Sequence, residues 1–269
     1  MSTVRRWLEE LYARNPLLTI TGWMHWALVA ILILIYPFDS RTILGISPWI
    51  KPMKFASSIA IYAWTLGWYL HYLSERKRLV RIISVGVSAL MFCEITLITL
   101  QSVRGTTSHF NISTPLDAAI FNTMGMMIAS NTILIAIALV LFFVTKTEIP
   151  RAYLWGIRLG LIVFLLASAE GIFMVIHGSH TVGAPDGGPG LPFVNWSLKH
   201  GDLRVAHFAG MHALQILPLI GYWRSRSGNP QWAQVSYTAA FSFLYLCLAV
   251  LLFVMAVLGG PLPLFANTR

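Results

Sequence analysis

Apolar residues in this chain run on without alternation. Ala27–Tyr36 and Thr132–Val144 are nearly unbroken apolar stretches, whereas strands of a membrane barrel alternate apolar and polar residues. Runs approaching roughly 20 residues cross the hydrocarbon layer as helices. The pattern predicts seven such helices, at about 17–37, 54–73, 80–103, 118–144, 153–176, 204–223 and 235–258. The fold class expected is therefore an all-α integral membrane protein, with 17–258 as a single seven-helix domain.

Two segments flank that domain. Before it, Val4, Trp7, Leu8, Leu11 and Tyr12 share one helical face, while Arg5, Arg6, Glu9 and Arg14 lie elsewhere. This predicts a short amphipathic helix over 1–16 at the lipid headgroups on the cytoplasmic side. The first apolar run, from Leu17, exceeds a signal-peptide core of about 7–15 residues and is expected to be retained. Residues 259–269 are expected to form a tail on the other side.

Composition agrees with lipid as the main solvent. Of the 269 residues, 57% are apolar and 11% charged, against roughly 25% charged in soluble domains. The net charge of +9 sits in short loops, which points to anionic lipid and topology and not to nucleic acid. With these spans, twelve Lys and Arg fall on the N-terminal side and seven on the other. Positive loops stay inside, so the N-terminus is expected in the cytoplasm, the C-terminus outside, and the membrane a bacterial inner membrane. Cys93 and Cys247 lie within apolar runs and are expected to be packing residues, not a disulfide.

The unusual polar residues gather toward the non-cytoplasmic ends of the spans. Glu94 and Gln101 are seven apart on the third span and share a face, with Glu94 roughly 22 Å from the inner boundary. Arg104 and His109 follow. The fifth span carries Glu170 and, on the same face, His177, with His180 one turn on if the helix persists. On the sixth, Arg204, His207, Met211 and Gln215 form a stripe about 80° wide, with His212 at its edge. Lys51 and Lys54, beside Trp49, open the second span. Of Asn122 and Asn131 on the fourth span, Asn122 is the expected lining residue. His25 and His71 read as interfacial or satisfied histidines and not as ligands.

Buried ionisable groups cost about 2.5–3.5 kcal/mol each at a helix centre and tend to face the bundle interior. The pattern suits a membrane-embedded redox or metal-dependent enzyme. Glu94, His109 and Glu170 are its candidate acids and bases. Arg104, Arg204, Lys51, Lys54, Gln101 and Gln215 are candidates to hold a cofactor or an anionic group, and His177, His180, His207 and His212 to ligate haem or a transition metal. The same residues also suit a proton-coupled or anionic-solute transporter, or a scaffold subunit with a structural polar cluster. Expected partners are the lipid bilayer and a small anion, quinone or lipid at the outer face.

Several chemistries are excluded. A retinal Schiff base needs a lysine in the last span, and Tyr237–Leu258 contains none. No Gly-rich phosphate loop, HExxH helix or set of histidine boxes is present. Gly183–Gly190, with two prolines and four glycines, is expected to be a turn-rich connector or lid. Pro218 is expected to loosen the sixth span, Ile43–Ile50 to approach the membrane, and Phe193–Leu198 to form a short interfacial helix.

Overall fold

A computed structural model of the chain describes residues 3–261, leaving the end of the expected tail, with Arg269, outside them. Among the described residues the architecture is all-helical apart from one two-residue strand pair. Six helical stretches among them are long and apolar enough to cross a membrane, one of them the 54-residue stretch Ile50–Val103. The chain divides into two compact units, Met1–Thr147 and Glu148–Arg269.

The first unit contains α1 (Thr3–Arg14), α2 (Pro16–Ile35), α3 (Ile50–Leu70), α4 (Lys77–Val103) and α5 (Pro115–Val144). Helix starts follow local chemistry. Asn15 caps α2 by accepting from Leu18 N, and Thr114 caps α5 by accepting from Asp117 N, each with proline at the next position. Between α3 and α4 a 3₁₀ segment, His71–Arg76, breaks the helix at Leu73 (φ −102°, ψ 27°).

Helix α1 packs through a few residues. Leu11 is buried while Val4, Trp7 and Tyr12 stay exposed. Trp7 packs on Trp64 and Trp68 with ring centroids 5.8 and 6.4 Å apart. The Arg14 guanidinium stands 3.9 Å above the Trp68 ring, a cation–π contact at the helix's end. Gly22 on α2 is required by the same cluster, because a Cβ there would lie 2.1 Å from the Trp64 indole nitrogen.

The second unit contains α6 (Arg151–His177), β1 (Thr181–Val182), β2 (Gly201–Asp202), α7 (Leu203–Ser225) and α8 (Gln231–Val257). Small residues let α6 and α7 approach backbone to backbone, as membrane helices do. A Cβ on Gly156 would sit 2.6 Å from Leu217 O, one on Gly210 2.5 Å from Ala167 Cβ, and one on Gly221 2.4 Å from Ala152 O. Pro218 is buried within α7, which continues through it to Ser225.

Four expectations are corrected. Helix α6 stops at His177 because Gly178 takes a left-handed cap (φ +76°), so His180 is not on its face. Phe193–Leu198 forms no helix: Phe193 and Asn195 have φ of 65° and 55°, and Gly190 pairs with Ser197. Asn131, not Asn122, is the buried one; its Oδ1 accepts from Tyr62 Oη at 3.0 Å, and Asn122 is exposed. Cys93 and Cys247 are free but exposed, not packed in a core. Ile43 and Ile46 close a tight turn ahead of α3.

Candidate functional site

In the first unit the polar cluster centres on Asp117, which the sequence reading passed over. The carboxylate is 3% exposed. Its Oδ1 accepts from Arg104 Nη1 at 2.6 Å and Gln101 Nε2 at 2.9 Å, and its Oδ2 from Thr114 Oγ1 at 2.6 Å. Arg104 Nη1 also lies 2.5 Å from Gln101 Oε1. This closed network ties the end of α4 to the start of α5. Its signal in the sequence is Thr114-Pro115-Leu116-Asp117, a helix start with the acid three residues past the cap.

Glu94 and Gln101 do share the inward face of α4, at 1% and 0% exposure, but only Gln101 is in the network. Among the described residues Glu94 Oε2 has no hydrogen-bond partner. Lys51 Nζ lies 5.9 Å from the Phe55 ring centroid, and its charge reaches Glu94. Lys54 is half-buried at the same end of α3. His109 sits between Phe55 and Phe121, with centroids 5.6 and 6.3 Å away, its Nδ1 3.0 Å from Ser108 Oγ.

In the second unit the 178–202 loop is a built cap. Asp186 binds His180 Nδ1 at 2.6 Å and also accepts from the backbone N–H groups of His180 and Thr181. Burial alone would raise the Asp186 carboxyl, but the His180 side-chain hydrogen bond and charge, with the Thr181 side chain and the His180 amide, hold it well below the usual carboxylate range. Asp202 caps α7, accepts from Arg204 Nε at 2.8 Å and from Ser197 N at 2.7 Å, while Arg204 Nη2 reaches Asn195 O at 2.5 Å. Asp186 and Asp202 are thus the acids that order the cap, a role their place in a loop had concealed.

Beneath the cap lie the remaining candidates. His207 Nδ1 donates to Ala167 O at 2.9 Å, which fixes its tautomer and leaves Nε2 as a lone pair. Its Cε1 lies 3.5 Å from where a Cβ on Gly171 would be, so neighbouring Glu170 shares its level on α6. Glu170 Oε1 is buried and without a hydrogen-bond partner among the described residues. His212 Nδ1 lies 3.2 Å from Gln215 Oε1, and the His212 ring 4.2 Å from that of Phe208. His177 stacks on Phe173 and reaches Thr181 O at 3.3 Å.

The four histidines read as metal ligands, His177, His180, His207 and His212, therefore each spend one ring nitrogen on a protein partner. Among the described residues no three His, Cys, Asp or Glu side chains are grouped to hold a metal ion. The chain matches no protein-family model, no curated protein and no solved structure, so its functional reading rests on its own residues.

Proposed function

We propose that the chain is an integral membrane protein that binds and releases protons at Glu94 and Glu170, in proton-coupled handling of a small solute. The supporting observation is that each unit holds, inside an apolar helix, a carboxyl with a buried oxygen that no group among the described residues satisfies. An intramembrane acid without a partner is expensive and marks proton relays and ion pathways. In the first unit Arg104, Lys51 and Lys54, and separately in the second Arg204, suit an anionic, quinone-like or lipid-headgroup partner at the non-cytoplasmic face. In this reading Ile50–Val103 crosses twice, because 54 residues of straight helix would span about 80 Å. Seven crossings set the termini on opposite sides, and the excess of Lys and Arg on the N-terminal side favours a cytoplasmic N-terminus, in this reading at a bacterial inner membrane.

The test is infrared difference spectroscopy of the full chain in lipid vesicles, titrated over a wide pH range. Two carboxyl bands should change with pH, one lost in Glu94→Gln and the other in Glu170→Gln. A wild-type protein with no titrating carboxyl band overturns the proposal.

The second reading, a redox or metal-dependent enzyme, is favoured by His207: a carbonyl-anchored Nδ1 with Nε2 available is how a ligating imidazole is oriented. Purified protein would then carry a Soret band or near-stoichiometric metal, lost in His207→Ala. Absence of both from protein purified with its native lipid removes this reading.

A further inference from the structure

We infer that the end of the second unit opposite the 178–202 cap binds the phosphodiester of an anionic phospholipid, received by Arg224 and Arg226. This site uses neither Glu94 nor Glu170 and stands apart from the proton-binding reading.

Packing brings three helix ends together there. A Cβ on Gly221 would sit 2.4 Å from Ala152 O, and the Tyr153 and Tyr222 rings meet edge to face at 5.7 Å. The end of α7 therefore lies beside the start of α6. Arg224 reaches to α8, its guanidinium 4.2 Å from the Tyr237 ring centroid, and Arg226 stands 4.9 Å from that of Tyr222. These are cation–π contacts that hold each guanidinium in place. The turn from α7 to α8 is held as well. Gln234 Nε2 donates to Ser227 O at 3.0 Å and to Asn229 O at 2.9 Å, and Ser227 Oγ to Arg224 O at 2.8 Å.

What the pair lacks is a counter-charge. Elsewhere the chain closes an arginine with a carboxylate: Arg5 with Glu9, Arg14 with Glu10, Arg41 with Asp39, Arg104 with Asp117 and Arg204 with Asp202. Among the described residues Arg224 and Arg226 have rings in that place and no ion pair, and Arg224 Nε is buried without a hydrogen-bond partner. An unmet buried donor is costly, more so on a charged group. The acids of the second unit are Glu148, Glu170, Asp186 and Asp202. Asp186 and Asp202 are spent in the cap, Glu170 lies toward the cap end of α6, and Glu148 is exposed ahead of that helix. Arg151 adds a third cation at the start of α6. Neither α6 nor α8 has a side-chain cap at its start, so both helix dipoles add to the positive field. Fixed guanidiniums in such a field suit a phosphate.

The surroundings make that phosphate a lipid's. Tyr222, Trp223, Trp232 and Tyr237 are all exposed, and aromatic residues at the ends of membrane helices sit at headgroup depth. No acid is held beside the arginines to meet an ammonium group, which favours an anionic headgroup over a zwitterionic one. A topology signal, by contrast, needs only charge in the loop and is indifferent to the guanidinium fork and to the tyrosine behind it.

The test uses the full chain, stripped of lipid in neutral detergent and titrated in mixed micelles with phosphatidylglycerol or phosphatidylcholine. Bound lipid is counted by native mass spectrometry. Wild type should retain phosphatidylglycerol about tenfold better, the worth of one charge-assisted hydrogen bond. Arg224→Ala should lose most of that preference, and so should Arg224→Lys, which keeps the charge but not the forked donors. Tyr237→Leu should weaken it. Arg78→Ala, which removes equal charge from the first unit, should change nothing. Inorganic phosphate at matched concentration should displace no lipid.

If Arg224→Ala folds or inserts poorly, Arg224→Lys and Tyr237→Leu carry the test, since both preserve the charge. Equal retention of the two lipids by wild type, or full preference in both charge-preserving variants, overturns the site and leaves Arg224 as a topology signal. Displacement by inorganic phosphate overturns the lipid assignment, because the arginines then serve a soluble anion.

Discussion

Asp186 Oδ2 lies 2.6 Å from His180 Nδ1, and this one pair closes a loop too rich in proline and glycine to order itself. The residues between them, Thr181–Pro185, contribute a two-residue strand and a turn. The carboxylate therefore does the folding that local propensity does not.

Asp186→Asn should accordingly release the cap, at a cost of about 1–3 kcal/mol for a partly buried charge-assisted bond. The pH dependence has a definite sign. Because the folded carboxyl is held well below its ordinary value, its contribution is complete above about pH 3.9 and fades as the pH falls further, through the folded value. Hydrogen exchange at the His180 and Thr181 amides should be protected from neutral pH down to mild acid, then lost. In Asp186→Asn that acid transition should be absent.

Asp117→Asn breaks a different lock. It removes charge from the carboxylate joining Arg104 and Gln101 on α4 to Thr114 on α5. Arg104 is 31% exposed, so solvent screening softens the loss. The thermal midpoint in detergent should fall. Arg104→Lys should fall by less, since a lysine keeps the charge but not the forked geometry.

How much of this was readable in the sequence follows from what each signal measures. Unbroken apolar runs located every long helix to within a few residues, because lipid forces backbone bonds to close inside the segment. The inward face of α4 was readable too, since Glu94 and Gln101 must avoid lipid together. Asp117, Asp186 and Asp202 were missed because each acts through partners supplied by loop geometry. Asn131 was misjudged for another reason. Sequence gives a residue's depth along its helix, but its direction depends on which neighbour packs there.

The α6–α7 crossing depends on glycine where no sequence period required it. Gly156→Val and Gly210→Leu would place side-chain atoms inside contacts that already stand at 2.6 and 2.5 Å for a bare Cβ. Each should cost about 1–3 kcal/mol and loosen the level at which Glu170 and His207 lie, read as faster exchange at the His207 ring. Gly188→Ala, whose added methyl meets nothing within 4 Å, is the matched control and should leave stability unchanged.

Topology is decided by whether Ile50–Val103 is one crossing or two. The Leu73 break and the 3₁₀ segment around it separate helices of 21 and 27 residues, each long enough to cross alone. Arg76, Lys77 and Arg78 at the break would then mark a cytoplasmic turn. In a Cys93→Ser, Cys247→Ser background, a membrane-impermeant thiol reagent applied to intact cells should label Lys199→Cys and spare Glu75→Cys, two exposed positions. Permeabilised cells should label both. Labelling of Glu75→Cys in intact cells would invert the assignment, because then the basic turn faces outward and the positive-inside distribution loses its strongest segment.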